Sequence, residues 1–387
     1  MDISPPPATT PTYVQGGFAN VMSAPPKIAG LPAPSTTTRG QLFRVAIVGA
    51  ATLRGKEVAE MLNERNFPAV DIRLLDDDES IGQLEATGDE INFIQSVRGE
   101  LFTHVDFTFF AGDAECVRKN WKRARDAGSA IIDLSGALLE EDEGAQVRSV
   151  WLERERGEIW QPELEPAPAV VAHPAAVGLA LLLLRARRAG PIRTVAATLF
   201  EPASEQGQKG MDELHQQTVN LLSFQTLPKD VFDVQIAFNM VARYGQKSQL
   251  SLDSIESRVR RHYHKIAGPG APEPALMTLQ APVFHGHSLA IYLEMEQPAD
   301  RDRLPNVLAG DHVTITGAQE AGAQEDLQPN NVNSAGQPDI LVALKNDVER
   351  PNGTWLWATA DNLRIAAITA VECAESMIAT RPLGKVQ

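Results

Sequence analysis

The sequence predicts an α/β protein with a doubly wound parallel sheet first, an α+β part with a mixed sheet second, and a disordered Pro-rich N-terminal tail in front. Three observations predict it. From Leu42 to about residue 172, short apolar runs alternate with segments of helical period, the pattern of a parallel sheet with right-handed crossovers. Beyond that, long strand-like stretches follow one another with few helices between them, as in an antiparallel or mixed sheet. Residues 1–40 hold eight prolines between Pro5 and Pro34 and a Ser35-Thr36-Thr37-Thr38 tract, with little periodic apolar content.

The first element is a strand, Val45 to Val48, followed by a small-residue turn and an amphipathic helix from about Gly55 to Arg65. This β-turn-α opens a dinucleotide-binding, Rossmann-like fold. A strand from Val70 to Leu75 runs into the acidic stretch Asp76 to Glu79, and the apolar runs Val105 to Gly112 and Ala130 to Gly136 flank a helix from Asp113 to Ala127. Next comes the longest apolar run, Val170 to Leu184. It reads as a buried strand to Ala172, a break at His173 and Pro174, and an apolar helix from about Ala176, closed by Arg185, Arg187 and Arg188. A strand running directly into a helix aims backbone N–H groups at the turn, where many α/β enzymes hold a nucleophile. Here the turn supplies no thiol, hydroxyl or carboxylate.

Strand-like segments then run from Ile192 to Ser204, Pro282 to Gln297, Asp339 to Val348 and Thr354 to Asn362, with a helix from Lys209 to Leu222 and a polar surface loop from Gly317 to Gly336. An Ala-rich helix from Leu363 to Ala379 closes the fold by returning to the first domain. The expected domains are therefore the tail 1–40, a dinucleotide-binding domain 41–172 completed by a C-terminal helix 362–387, and a dimerisation and substrate domain 173–361.

A net charge of -15 and a pI of about 5.0 disfavour nucleic acid and anionic membranes as partners. The basic segment Arg258 to His264 could face a phosphate, although a solvated helix face is the simpler reading. The two cysteines, Cys116 and Cys373, lie far apart in expected helices, so neither a disulfide framework nor a Cys-rich metal site is expected. A reducing cytoplasm fits. The apolar stretch Ala167 to Leu184 nearly reaches the length of a membrane span, but Pro168, His173 and Pro174 interrupt it, so no membrane span is expected.

Three motifs invite a chemical reading. Gly49-Ala50-Ala51-Thr52-Leu53-Arg54-Gly55 has the position of a dinucleotide fingerprint, but Thr52 replaces its middle glycine, and a β-branched side chain obstructs the approach of a pyrophosphate. The run Asp76-Asp77-Asp78-Glu79 falls where an acid would bind a ribose 2′-hydroxyl and repel a 2′-phosphate, so any dinucleotide would be NAD rather than NADP; a solvated acidic turn is the alternative. His285 and His287 flank Gly286, and strand alternation would put both on one face. With no carboxylate or thiol at recognisable spacing, no metal site is expected, and polar residues lining a cleft are the preferred reading.

Across about residues 42 to 380 these segments resemble the aspartate-β-semialdehyde dehydrogenase family. The marks are Ser204, Gly207 and Lys209-Gly210-Met211-Asp212-Glu213-Leu214, then Gly286-His287-Ser288, and Ala360-Asp361-Asn362-Leu363-Arg364. The resemblance implies an NADP-binding first domain, a second domain that holds the active site and forms a tight homodimer, and a cysteine thiolate that attacks the aldehyde. It also implies that most of this chemistry is gone. The family turn Asn-Pro-Asn-Cys-Ser/Thr corresponds to His173-Pro174-Ala175-Ala176-Val177, so Ala176 stands at the nucleophile's position. The substrate-binding arginine corresponds to Gln280, the active-site glutamine to Glu201, the phosphate-binding arginine to Leu139, and the residues holding the 2′-phosphate to Asp77 and Asp78. The general-base histidine remains as His287. The resemblance is closest to the Usg-type paralogues, which lack the catalytic cysteine.

The reading that results is a catalytically inactive, cytoplasmic homodimer with a binding or scaffolding role; heterodimerisation with an active paralogue stays open. Its degenerate cofactor-binding positions are Gly49, Ala50, Thr52, Gly55, Asp77 and Asn362. The alternatives are an active NAD(P)-dependent oxidoreductase, or a hydrolase, that uses His287 and Glu201 with His285 as acid and base, and a regulatory protein that senses NAD.

Overall fold

A computed structural model describes residues 42–76, 82, 84–87, 90–158, 166–297, 303–316 and 328–380. The expected tail, Asp77, Asp78, most of the loop from Gly317 and the last seven residues lie outside these.

The chain begins with β1 (Phe43–Val48), α1 (Leu53–Glu64) and β2 (Ala69–Asp76), then a hairpin of β3 (Leu84–Thr87) and β4 (Glu90–Phe93), and β5 (Gln95–Ser96). It continues through β6 (Phe107–Phe110), α2 (Ala114–Asp126), β7 (Ala130–Asp133), α3 (Leu138–Glu141), β8 (Gln146–Arg148), α4 (Val150–Glu155) and β9 (Ala169–Val171). Seven of these strands form one sheet in the order β5-β2-β1-β6-β7-β9-β8, with every pairing parallel. This is the doubly wound sheet that the apolar runs predicted. Its central strands are buried on both faces, which is why they read as continuous apolar runs rather than alternating ones.

The second part holds α5 (Pro174–Ala186), β10 (Ile192–Glu201), α6 (Gly207–Leu222), α7 (Leu252–Ala267), β11 (Pro274–Gln280), β12 (His287–Met295), α8 (Arg303–Leu308), β13 (Val313–Ile315), α9 (Asn331–Ser334), β14 (Ile340–Asn346), β15 (Gly353–Ala360) and α10 (Asn362–Thr380). Six strands form a mixed sheet ordered β11-β10-β12-β15-β14-β13, with parallel pairs at its two edges and antiparallel pairs between.

Helix α5 is the central run of the sequence, and all of it but Leu184 is buried. It is apolar all round because both parts pack on it: the core it joins includes Ile132 and Val171 of the first sheet and Leu289, Ile291 and Ile340 of the second. Helix α10 returns to the first part as expected. Arg364 at its start pairs with Glu57 (2.9 Å) and Glu64 of α1, and Glu375 near its end pairs with Arg65 (2.6 Å).

Three expectations need correction. The strand-like stretch from Pro282 becomes a strand only at His287, because Gly286 adopts φ +84° and breaks the alternation that would have put His285 and His287 on one face. Strand β11 was not expected as an element, and helix α7 was expected only as a helix face over Arg258 to His264. The part of the polar loop that is described ends in α9, which reaches the site below.

Among the described residues nothing packs over the exposed side chains on one face of the mixed sheet. Across the registers of β11, β10, β12 and β15 this face presents Met277, Thr198, Ala290 and Trp357 in one row, and Ala275, Ala196, Tyr292 and Trp355 in the next. Met277, Trp355 and Trp357 are 51%, 44% and 37% exposed. Among the described residues no helix is long and apolar enough to cross a membrane.

Candidate functional site

The site lies where β9 runs into α5 and meets the ends of β10, β11 and β15 and the start of β12. His173 caps α5: its Nδ1 accepts from the Ala175 amide (3.2 Å), and Pro174 occupies the first helical position, where no donor is needed. The His173 amide donates to Nδ1 of His262 (2.9 Å), a residue of α7. Both rings therefore carry their proton on Nε2, and both Nε2 atoms are buried without a hydrogen-bond partner. Burial and the neighbouring Arg258 push His173 well below its ordinary pKa, and the same causes take His262 down to about 3, so both are neutral at pH 7.

Facing them is an ionic cluster. His287 opens β12 and holds Oε2 of Glu201, the last residue of β10, at 2.9 Å. Glu205 follows in the next turn, where it accepts from Arg54 Nη2 (3.0 Å) and Asn362 Nδ2 (2.9 Å), with Arg258 at 3.7 Å. Its carboxylate oxygens lie 3.8 Å (Oε1) from His287 Nε2 and 3.9 Å (Oε2) from His173 Nε2. Burial works against the charge on Glu205, but Arg54 and Arg258 hold it well below the usual carboxylate range. Burial likewise opposes a charged His287, and Glu201 outweighs it, so the imidazole is held above its ordinary pKa. Beside His173, Glu205, Arg258 and His262 the remaining cavity is about 20 Å³, room for little more than one water-sized group.

The sequence-predicted residues are distributed as follows. Ala176 is fully buried on the first turn of α5. Gln280 is also fully buried and pairs in register with Glu201; its Nε2 donates to the carbonyls of Glu201 and Ala281 (both 2.9 Å), and its Oε1 accepts from Tyr244 (2.7 Å). Asn362 accepts from Ser204 Oγ (3.1 Å) and the Gly286 amide (3.0 Å) besides donating to Glu205. Leu139 lies in α3. His285 enters through its carbonyl, which accepts from Asn331 of α9 (3.2 Å).

The fingerprint turn stands close by. Gly49 has φ +84°, and a Cβ on it would fall 2.3 Å from the Gly112 nitrogen; one on Gly55 would fall 2.2 Å from the Gly49 carbonyl. Only glycine fits at either position. Thr52 does not simply intrude: its Oγ1 caps α1 by accepting from the Gly55 amide (3.0 Å) and donates to the Gly49 carbonyl (2.7 Å). Asp76, at the end of β2, takes the Ala51 amide (2.7 Å). Ala50 donates its amide to Leu75 (3.1 Å).

Sequence reasoning missed His173, Glu205, Arg54, Arg258 and His262 as site residues. For His173 a signal was present, since a polar residue before Pro at a helix start is a cap. For Arg258 and His262 the solvated-face reading is corrected: α7 turns them inward, while His264 stays exposed. The sequence also led to no metal site, yet His173, Glu201 and His287 bring potential ligand atoms within 4.8 Å of one another.

Against known proteins, residues 44–171 match the family model of the semialdehyde dehydrogenase NAD-binding domain, and residues 183–365 that of the semialdehyde dehydrogenase dimerisation domain. A USG-1 protein homolog of Pseudomonas aeruginosa is 32% identical over 351 residues, which cover 87% of this chain and 98% of that protein. The aspartate-semialdehyde dehydrogenase of Rickettsia conorii is 27% identical over 345 residues, again 87% and 98%. The crystal structure of aspartate semialdehyde dehydrogenase II complexed with ASA from Vibrio cholerae superposes with a TM-score of 0.75 at 25% identity, covering 88% of this chain and 99% of that one. Both halves and nearly the full length of these relatives are matched together, and the chain belongs to the aspartate-semialdehyde dehydrogenase family.

Proposed function

We propose that the chain is a catalytically inactive, homodimeric member of this family with a binding or scaffolding role. The observation that carries this reading is Ala176. Covalent attack on an aldehyde needs a thiolate or an activated hydroxyl at the mouth of the helix, and a buried methyl group offers neither. Neither cysteine substitutes for it: Cys116 lies in α2, and Cys373 is buried in α10 with its thiol pushed up to about 12 by burial. The space a substrate would need is also filled, because Gln280 spends its amide on neighbouring carbonyls and Tyr244, and Glu201 is engaged with His287.

Nucleotide binding is degenerate in the same reading. A pyrophosphate at the turn would compete with Thr52 for the Gly55 amide and with Asp76 for the Ala51 amide, so the turn does not fit it as it stands. Asp76 also favours NAD over NADP among any nucleotides that do bind. The exposed apolar face of the mixed sheet supports a dimer. A cytoplasmic location rests on the low cysteine content, Cys116 and Cys373 being far apart in the sequence.

One observation favours a second reading. The 2.9 Å His287–Glu201 pair is a ready acid–base couple for an oxidoreductase of altered mechanism. Its burial, at 2% and 0% exposure, keeps it from a substrate and weakens that reading. The test is a steady-state assay with aspartate semialdehyde, phosphate and NAD or NADP. No reduced nicotinamide is expected, and turnover that disappears in His287→Ala would overturn inactivity.

A further inference from the structure

We propose that His173, Glu201 and His287 form a binding site for one divalent transition-metal ion of the zinc class. The three residues come from separate elements, the cap of α5, the end of β10 and the start of β12, and one ligand atom from each lies within 4.8 Å of the others. Two imidazoles and a carboxylate are the donor set of many three-ligand zinc sites, whereas magnesium and calcium want oxygen alone.

Burial is the second argument. The residues are 4%, 0% and 2% exposed, and two of them turn a polar atom with no hydrogen-bond partner among the described residues to the cluster: His173 Nε2 and Glu201 Oε1. Buried polar atoms are almost always satisfied, so two orphans in one cluster point to a group that completes them.

The geometry is near what an ion needs. Bonds of about 2.0–2.2 Å in a tetrahedron place ligand atoms about 3.3 Å apart. The His287 Nε2–Glu201 Oε2 contact, at 2.9 Å, is close to such an edge, and ligation releases the proton shared there to solvent, leaving His287 neutral with its proton on Nδ1. The widest pair, within 4.8 Å, must close by up to roughly 1.5 Å. Ligation through His173 Nε2 moves its proton to Nδ1 and releases the 3.2 Å bond from the Ala175 amide. Glu205 stands just behind, fixed by Arg54 and Asn362, and adds negative charge to the site. Arg258, 3.7 Å from Glu205, opposes the ion. The inference does not depend on inactivity: dehydrogenase turnover by the metal-free chain would remove the reading above and leave this one standing.

The experiment titrates Zn²⁺ into the full chain after chelator treatment and measures stoichiometry and affinity by competition with a chromogenic chelator. One ion per chain is expected, with binding at least about 100-fold weaker in Glu201→Gln and in His173→Asn, since even outer partners of metal ligands are worth about 10- to 100-fold. His264→Ala, which removes an exposed histidine outside the cluster, is expected to bind as the parent does. Because a buried variant can fail to fold, X-ray absorption on the Co²⁺-loaded parent gives an independent reading: two imidazole nitrogens and carboxylate oxygen at about 2.0–2.2 Å. Absence of stoichiometric binding by the parent, unchanged affinity in both cluster variants, loss of binding in His264→Ala, or a shell without imidazole would each overturn the proposal.

Discussion

Glu372 offers a sharp test of which electrostatic effect governs the interface that α10 makes with the first domain. Its side chain is 3% exposed, with Oε1 3.3 Å from Arg65 and 3.7 Å from Arg154 and the Trp151 indole beside it. Burial favours the neutral acid, and the two guanidinium groups favour the carboxylate. Burial wins, and the carboxyl is pushed up from 4.5 to about 7. The folded state thus holds this proton more tightly than the unfolded chain. The stability it contributes is complete below about pH 4.5 and is lost as pH rises through 7. The difference between 4.5 and about 7 corresponds to about 3 kcal/mol. Glu372→Gln mimics the neutral acid, so it should stabilise the protein by about 3 kcal/mol at pH 8 and by less than about 1 kcal/mol at pH 5. Urea denaturation at the two pH values measures both. A glutamine variant less stable than the parent at pH 8 would mean that attraction to Arg65 and Arg154 outweighs burial, and would refute the reasoning.

Three further outcomes follow from the same structure. Arg54→Met removes the 3.0 Å partner of buried Glu205; with Arg54 a fifth exposed and Arg258 still nearby, unfolding should become easier by roughly 2–4 kcal/mol, and a change under about 0.5 in urea melts would show the pair to be idle. Trp357→Glu puts a charge on the exposed sheet face and should turn the proposed dimer into a monomer in light scattering, whereas a dimer of unchanged mass would place the interface elsewhere. Ala176→Cys should leave dehydrogenase activity undetected, because Gln280 and Glu201 still occupy the substrate's ground; measurable turnover would show that the thiol alone was missing.

The parallel sheet was legible because strands covered on both faces leave continuous apolar runs, and α5 was legible because a helix packed from all sides is apolar all round. Strand β11 was not. Pro274 to Gln280 carries apolar residues on both faces, since its outer side belongs to the exposed patch, and alternation is lost. The strand before His287 was drawn too long because a glycine of positive φ cannot be told from an ordinary one by type alone. At the site, the resemblance located Ala176, Glu201, Gln280 and His287 singly, and Glu201 then looked like a loss. Their convergence with His287 depends on tertiary packing that no spacing along the chain encodes. The same holds for Asp76: the acidic run was noticed, but only the fold assigns its first member to the Ala51 amide.

Rapid-mixing measurement of nicotinamide reduction, with the chain at concentrations comparable to NADP and with saturating aspartate semialdehyde and phosphate, tests the central claim most directly. A site with Ala176 at the head of α5 is predicted to form no reduced nicotinamide, even as a single turnover. A burst approaching one equivalent per chain would contradict it.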